Sequence, residues 1–115
     1  MCHCLACKRR TGSAFSFNAR FRADAVSIEG RARKFVRIGD SGVHSTYCFC
    51  PICGSIVYYQ SDVERDLLAI PAGAFADPAF PTPVRSYYHE TRRCPWVDVR
   101  LTSGAEEAHS SHPRS

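Results

Sequence analysis

Apolar and polar residues alternate along much of this chain. In SAFSFNARF, Phe15, Phe17, Ala19 and Phe21 alternate with Ser16, Asn18 and Arg20. A period of two puts one set on each face of a strand, which predicts a strand with an apolar Phe face and a polar Ser–Asn–Arg face. The same reasoning predicts strands at Phe35–Ile38, Val43–Phe49, Ser55–Tyr59, Leu67–Ile70, Val84–Tyr88 and Trp96–Leu101. GDSG, residues 39–42, reads as a turn by composition. Helical signals are weak, with single turns expected around Leu5–Arg10 and Asp62–Asp66. PAGAFADPAFPTP is rich in Pro and Gly and reads as a loop that packs through its two Phe side chains. From Thr102 onward little remains to bury, so 102–115 is expected to be a disordered tail after a domain spanning 1–101. The fold class is therefore mainly β: short antiparallel strands, zinc knuckles and long loops in one small domain.

Composition sharpens this picture in two ways. The 115 residues are 44% hydrophobic, enough for a core but a small one, and seven of them are cysteines. No stretch approaches a membrane span, and no charged and apolar leader is visible at the start, so a reducing cytoplasm is expected. There thiols bind metals or react rather than pair, and an odd count suits that reading. The formal charge of +4 is modest and reads as a solvated surface; a nucleic-acid partner is not expected. Lys8, Arg9 and Arg10 form the one tight basic run. It is either a solvated face or a patch for an acidic small molecule.

The cysteines fall into two clusters. Cys2 and Cys4 lie two apart, so an extended backbone turns both to one side; Cys7 follows at knuckle spacing. Three thiolates can then meet at one metal ion. In Cys50-Pro51-Ile52-Cys53-Gly54, Pro51 presets the turn and Gly54 tolerates the tight backbone after it. Cys48 alternates in phase with Cys50, and two readings stay open: third ligand or buried strand residue. Four thiolates make a closed structural zinc site, whereas three leave a position for water or substrate. A zinc ion with three thiolates carries net negative charge. That weakens it for splitting water but suits an incoming sulfur ligand, so a thiol-binding site is expected.

CHCLACKRRTGSAFS, YCFCPICGSIVYY, IPAGAF and RRCPWVDV, in that order, resemble the glutathione-dependent formaldehyde-activating family, which includes centromere protein V. The similarity runs from Cys2 to about Val99. It implies a β-rich fold with a catalytic zinc on Cys2, Cys4 and Cys7 and a structural zinc on Cys50 and Cys53. The implied activity is addition of glutathione to formaldehyde, a carbon–sulfur lyase or synthase reaction, with a thiol and an aldehyde as small-molecule partners. Lys8 and Arg9 would meet the glutathione carboxylates, and Ser13 and Phe15 would line the pocket. The family pattern draws two further structural ligands from a C-x-C upstream of the CHCxxC motif, ahead of Met1 here. A start further upstream and a shortened member are the two readings of that.

Other residues are read more plainly. Cys94 is a free, partly buried thiol. His3 holds its loop or meets solvent, with a possible role in giving up a proton near the site. His44 is a strand-face residue, and His89 is either that kind of residue or part of the site's surroundings. A second function competes with catalysis: a non-catalytic zinc-ribbon binding module, in which Cys4, Cys7, Cys50 and Cys53 close one structural zinc and Cys2 is spare.

Overall fold

The computed structural model describes residues 1–101 and the backbone of 106–108. The expected tail lies outside the described residues apart from Glu106–Ala108. The described chain falls into two compact units. One is formed by residues 18–76, and the other by residues 1–17 together with the chain from Asp77 onward.

The first unit is a five-stranded sheet. Its strands are β1 (Asn18–Arg22), β2 (Arg33–Ile38), β3 (His44–Phe49), β4 (Ile56–Ser61) and β5 (Leu67–Pro71), in the spatial order β1-β5-β4-β3-β2. All four pairings are antiparallel. Short turns explain this, since antiparallel neighbours need only a few residues between them. The GDSG segment makes such a turn, closed by Gly42 N–H donating to the Gly39 carbonyl. The core of the unit is a cross-strand stack. Tyr47 on β3 faces Tyr59 on β4, which faces Ala69 on β5. The tyrosine ring centroids lie 4.9 Å apart, and the Tyr59 hydroxyl accepts from Asn18 Nδ2 at 2.9 Å. Such same-face pairs are the units of sheet stability. The register shifts between Cys48 and Phe49, leaving Val57 as an extra residue in β4 just past the Cys50–Cys53 turn. β2 is an edge strand with Phe35, Val36 and Ile38 all exposed.

The second unit holds helix α1 (Leu5–Thr11), β6 (Arg85–Tyr87), α2 (His89–Arg92) and β7 (Glu106–Ala108), with β6 and β7 paired in parallel. Its first residues act as a central strand. Cys2 bridges Ser16 antiparallel on one side and Tyr87 parallel on the other. Gly12 ends α1 in the left-handed region at φ +68°, and its N–H caps the Lys8 carbonyl.

Two strand expectations need correction. The alternating run from Ser13 is divided: Ser16 pairs with Cys2, and β1 begins only at Asn18. Trp96–Leu101 is not a strand. A turn at Pro95–Trp96 brings the Val97 N–H onto the Cys94 carbonyl, and Trp96 is largely exposed. Val97 and Val99 instead face an apolar hollow of about 190 Å³ with Met1, Phe15, Phe17 and Pro83. Alternation in that segment thus reflects one-sided burial of a loop, not ladder pairing.

Candidate metal centre

The three opening cysteines converge. The sulfur atoms of Cys2, Cys4 and Cys7 all lie within 4.8 Å of one another, and all three residues are buried. Local sequence explains how. Cys2 and Cys4 lie on extended backbone, so their side chains share a face. Cys4 then caps α1: its φ of −64° and ψ of 157° are extended, and its sulfur accepts from the Cys7 N–H at 3.3 Å. One helical turn on, Cys7 comes back beside Cys4. Ala6, Tyr87 and Tyr88 pack against the cluster. Tyr88 holds a left-handed φ of 56°, which is strained for an aromatic residue and marks the turn into α2.

The cluster's electrostatics favour an anion. Hydrogen bonds from the Cys2 and Cys4 thiols hold Cys7 well below the ordinary thiol range, with the Arg10 guanidinium adding to the effect. Arg10 Nη2 stands 3.8 Å from the Cys7 sulfur. The same network pushes the Cys2 thiol up, because Cys2 donates to Cys4 and Cys7 and burial disfavours its charge. The trio therefore shares its protons unequally. Removing them yields a compact group of thiolates, the donor set that zinc prefers. With zinc–sulfur bonds of about 2.3 Å, two sulfurs on one tetrahedral ion stand about 3.8 Å apart. The sulfurs all lie within 4.8 Å of one another, which is compatible with that spacing, so the residues fit such an ion.

Behind the trio lies a buried hydrogen-bonded chain. His3 is fully buried rather than facing solvent, and its Nε2 lies 3.0 Å from the Ser86 hydroxyl. That hydroxyl lies 3.2 Å from His89 Nδ1, and the two imidazoles meet edge to face at 5.4 Å. His3 also donates its backbone N–H to the Tyr87 carbonyl at 3.0 Å. Burial, followed by the neighbouring His89 charge, lowers the His3 pKa to about 4. Of the two readings of His3, the structure supports the one that ties down its loop. His89 joins the surroundings of the site through Ser86.

The other candidates are placed as follows. Lys8 donates to the Arg92 carbonyl and to the Cys94 sulfur, 3.4 Å away, so it links α1 to the segment after α2. Cys94 is partly buried, as expected. Arg9 and Ser13 are exposed, and the Ser13 N–H donates to Thr11 Oγ1. Cys50 and Cys53 lie in the sheet unit on a tight turn: the Gly54 N–H donates to the Cys50 carbonyl and the Ile52 N–H approaches the Cys50 sulfur. They form a pair, since among the described residues the only group of three or more ligating side chains is Cys2, Cys4 and Cys7. Cys48 is buried in the sheet opposite Tyr58, whose hydroxyl it raises by a hydrogen bond. No disulfide joins any of the seven cysteines.

Ser16 and Ser86 are the polar residues that sequence reading missed. Alternation with Asn18 and Arg20 turns Ser16 outward, yet it is 1% exposed. Both are buried by pairing with residues remote in sequence, which leaves no local signal.

The model of the glutathione-dependent formaldehyde-activating enzyme family matches residues 1–91. No curated protein matches the chain. The matched span takes in both cysteine clusters, α1, the whole five-stranded sheet, Ser86 and His89. On that match, and with the CHCxxC trio gathered as the motif requires, this chain belongs to the glutathione-dependent formaldehyde-activating enzyme family.

Proposed function

We propose that this protein is a zinc-dependent carbon–sulfur lyase or synthase that makes or breaks the adduct between a thiol such as glutathione and an aldehyde. One observation carries the reading. Three buried cysteine sulfurs stand together, and no fourth Cys, His, Asp or Glu of the described residues joins them. That is the donor set of an open site rather than a closed structural one.

In the forward direction a sulfur–carbon bond forms, the carbonyl π bond breaks, and the thiol proton ends on the carbonyl oxygen. Cys2, Cys4 and Cys7 would hold a zinc ion, which would supply a seat for the thiolate of the incoming thiol. The chain's own residues do the rest. Tyr87 and Tyr88 pack against the cluster, and the His3–Ser86–His89 chain fixes the loop between Cys2 and Cys4. Arg9, Ser13 and the remaining donors of Lys8 are the groups assigned to the glutathione carboxylates. Cys50 and Cys53 are assigned to a second, structural zinc. A cytoplasmic location suits a protein with seven unpaired thiols. No helix among the described residues is long and apolar enough to cross a membrane.

The test is direct. The cobalt-substituted chain is titrated with glutathione and then with formaldehyde, and adduct formation is followed by NMR. Thiolate-to-cobalt bands that change with glutathione, together with adduct formation above the uncatalysed rate, support the proposal. Bands that stay unchanged at millimolar thiol would end it.

A further inference from the structure

Ser16 is buried to 1% exposure, yet its hydroxyl has no hydrogen-bond partner. Buried hydroxyls are almost always paired, so an unpaired one needs an explanation. Its position supplies one. Ser16 and Cys2 exchange both backbone hydrogen bonds, Cys2 N–H to the Ser16 carbonyl at 2.8 Å and Ser16 N–H to the Cys2 carbonyl at 2.9 Å. Residues opposed in this way project their side chains to the same face. The Ser16 hydroxyl therefore shares the face of Cys2, where the sulfur cluster lies. Flanking residues alternate to the other face: Met1, Phe15 and Phe17 line the apolar hollow instead.

We infer that the Ser16 hydroxyl is a hydrogen-bond donor held in reserve for the sulfur cluster, a positioning residue that donates to a thiolate on the face it shares with Cys2 when the three sulfurs close on a metal ion. The inference rests on the reading of Cys2, Cys4 and Cys7 as a metal site. It adds a residue that the cysteine motif does not contain. An O–H donor on a ligating thiolate draws charge from the sulfur and fixes its direction. Thiolates so supported hold the ion in one geometry and present it as a stronger Lewis acid.

The experiment compares cobalt binding by the wild type, Ser16→Ala and Ser16→Thr, each checked by circular dichroism. Ser16→Ala is expected to bind cobalt about 10–100-fold more weakly and to shift the thiolate-to-cobalt band, while Ser16→Thr restores both. Equal affinity and an unchanged band in Ser16→Ala overturn the inference. A second measurement needs no variant. In the wild type loaded with an NMR-active cadmium isotope, the Ser16 hydroxyl proton should exchange slowly and couple to the metal; a fast-exchanging, uncoupled hydroxyl overturns the inference even if Ser16→Ala fails to fold. The two readings fail separately. A wild type that takes up no cobalt sinks the metal site and the inference with it. A wild type that binds cobalt without turning over adduct sinks only the catalytic proposal.

Discussion

The proton on Ser86 Oγ can go to only one of the two imidazole nitrogens that face it. His3 Nε2 and His89 Nδ1 both lie within hydrogen-bonding distance, so at least one ring must carry N–H toward Ser86. His3 is thereby fixed between two of the three sulfurs. Ser86→Ala removes the shared partner from two ring nitrogens at once. We expect a loss of about 1–3 kcal/mol in the stability of the folded chain, read from urea unfolding, because buried polar groups are left unpaired. A loss below a few tenths would show that water replaces the hydroxyl. His3 itself favours its neutral form. With the folded pKa lowered to about 4 from 6.5, its contribution to stability is full above pH 6.5 and declines as pH falls toward 4. The span corresponds to about 3 kcal/mol. In the metal-stripped chain, the imidazole proton resonances of His3 should titrate near pH 4; a midpoint near 6.5 would remove the linkage. Cys2 separates the two functional readings at the same scale. If Cys2 ligates in an open site, Cys2→Ser should weaken one zinc by well over 10-fold; in the zinc-ribbon alternative it should leave zinc affinity unchanged.

Elements carry the site because each ends where the chemistry needs it to end. α1 is seven residues long, capped by the Cys4 sulfur at one end and by Gly12 at the other. A Cβ at Gly12 would meet no atom, so the cost of Gly12→Ala is purely conformational, from φ +68°. We expect about 1 kcal/mol, seen as a lowered thermal midpoint. A neutral outcome would mean that the turn after α1 reaches Ser16 by another path. Elements also show what was legible in the sequence. β2, β3, β4 and β5 stand where alternation and β-branched runs put them, though β2, an edge strand, leaves Phe35, Val36 and Ile38 exposed. The convergence of Cys2, Cys4 and Cys7 was legible too, since it follows from extended backbone and one helical turn. What escaped was set by non-local pairing. Cys2 lies between Ser16 and Tyr87, partners 14 and 85 residues away in the chain. No window of sequence holds that information. Hence Ser16 read as outward, His3 left an open choice, and the segment Trp96–Leu101 looked like a strand when it only lines an apolar hollow.

At the scale of the molecule, the two units are stabilised by different means. The sheet unit has a tyrosine core, Tyr47, Tyr59 and Ala69, that contains no cysteine. In the other unit the buried cluster consists of Cys2, Cys4 and Cys7, padded by Ala6, Tyr87 and Tyr88. Without a metal, the three sulfurs would be partly charged thiols sharing protons in a buried cluster, and a short segment has little other apolar area to offset the ordering of its backbone. Metal binding by such a cluster is folding free energy for the segment that supplies it. Chelation should therefore act unevenly. By hydrogen exchange with mass spectrometry, we expect removal of zinc to speed exchange across residues 1–17 and 85–92. Those segments hold the Cys2 bridges to Ser16 and Tyr87 and the helices α1 and α2. Away from the Cys50–Cys53 turn, the amides of β3, β4 and β5 should keep their protection, since their ladder and tyrosine stack include neither cysteine. Uniform loss of protection across both units would show that the metal holds the whole chain. Unchanged exchange at Cys2–Cys7 would show that these thiols are a packed core and not a metal site.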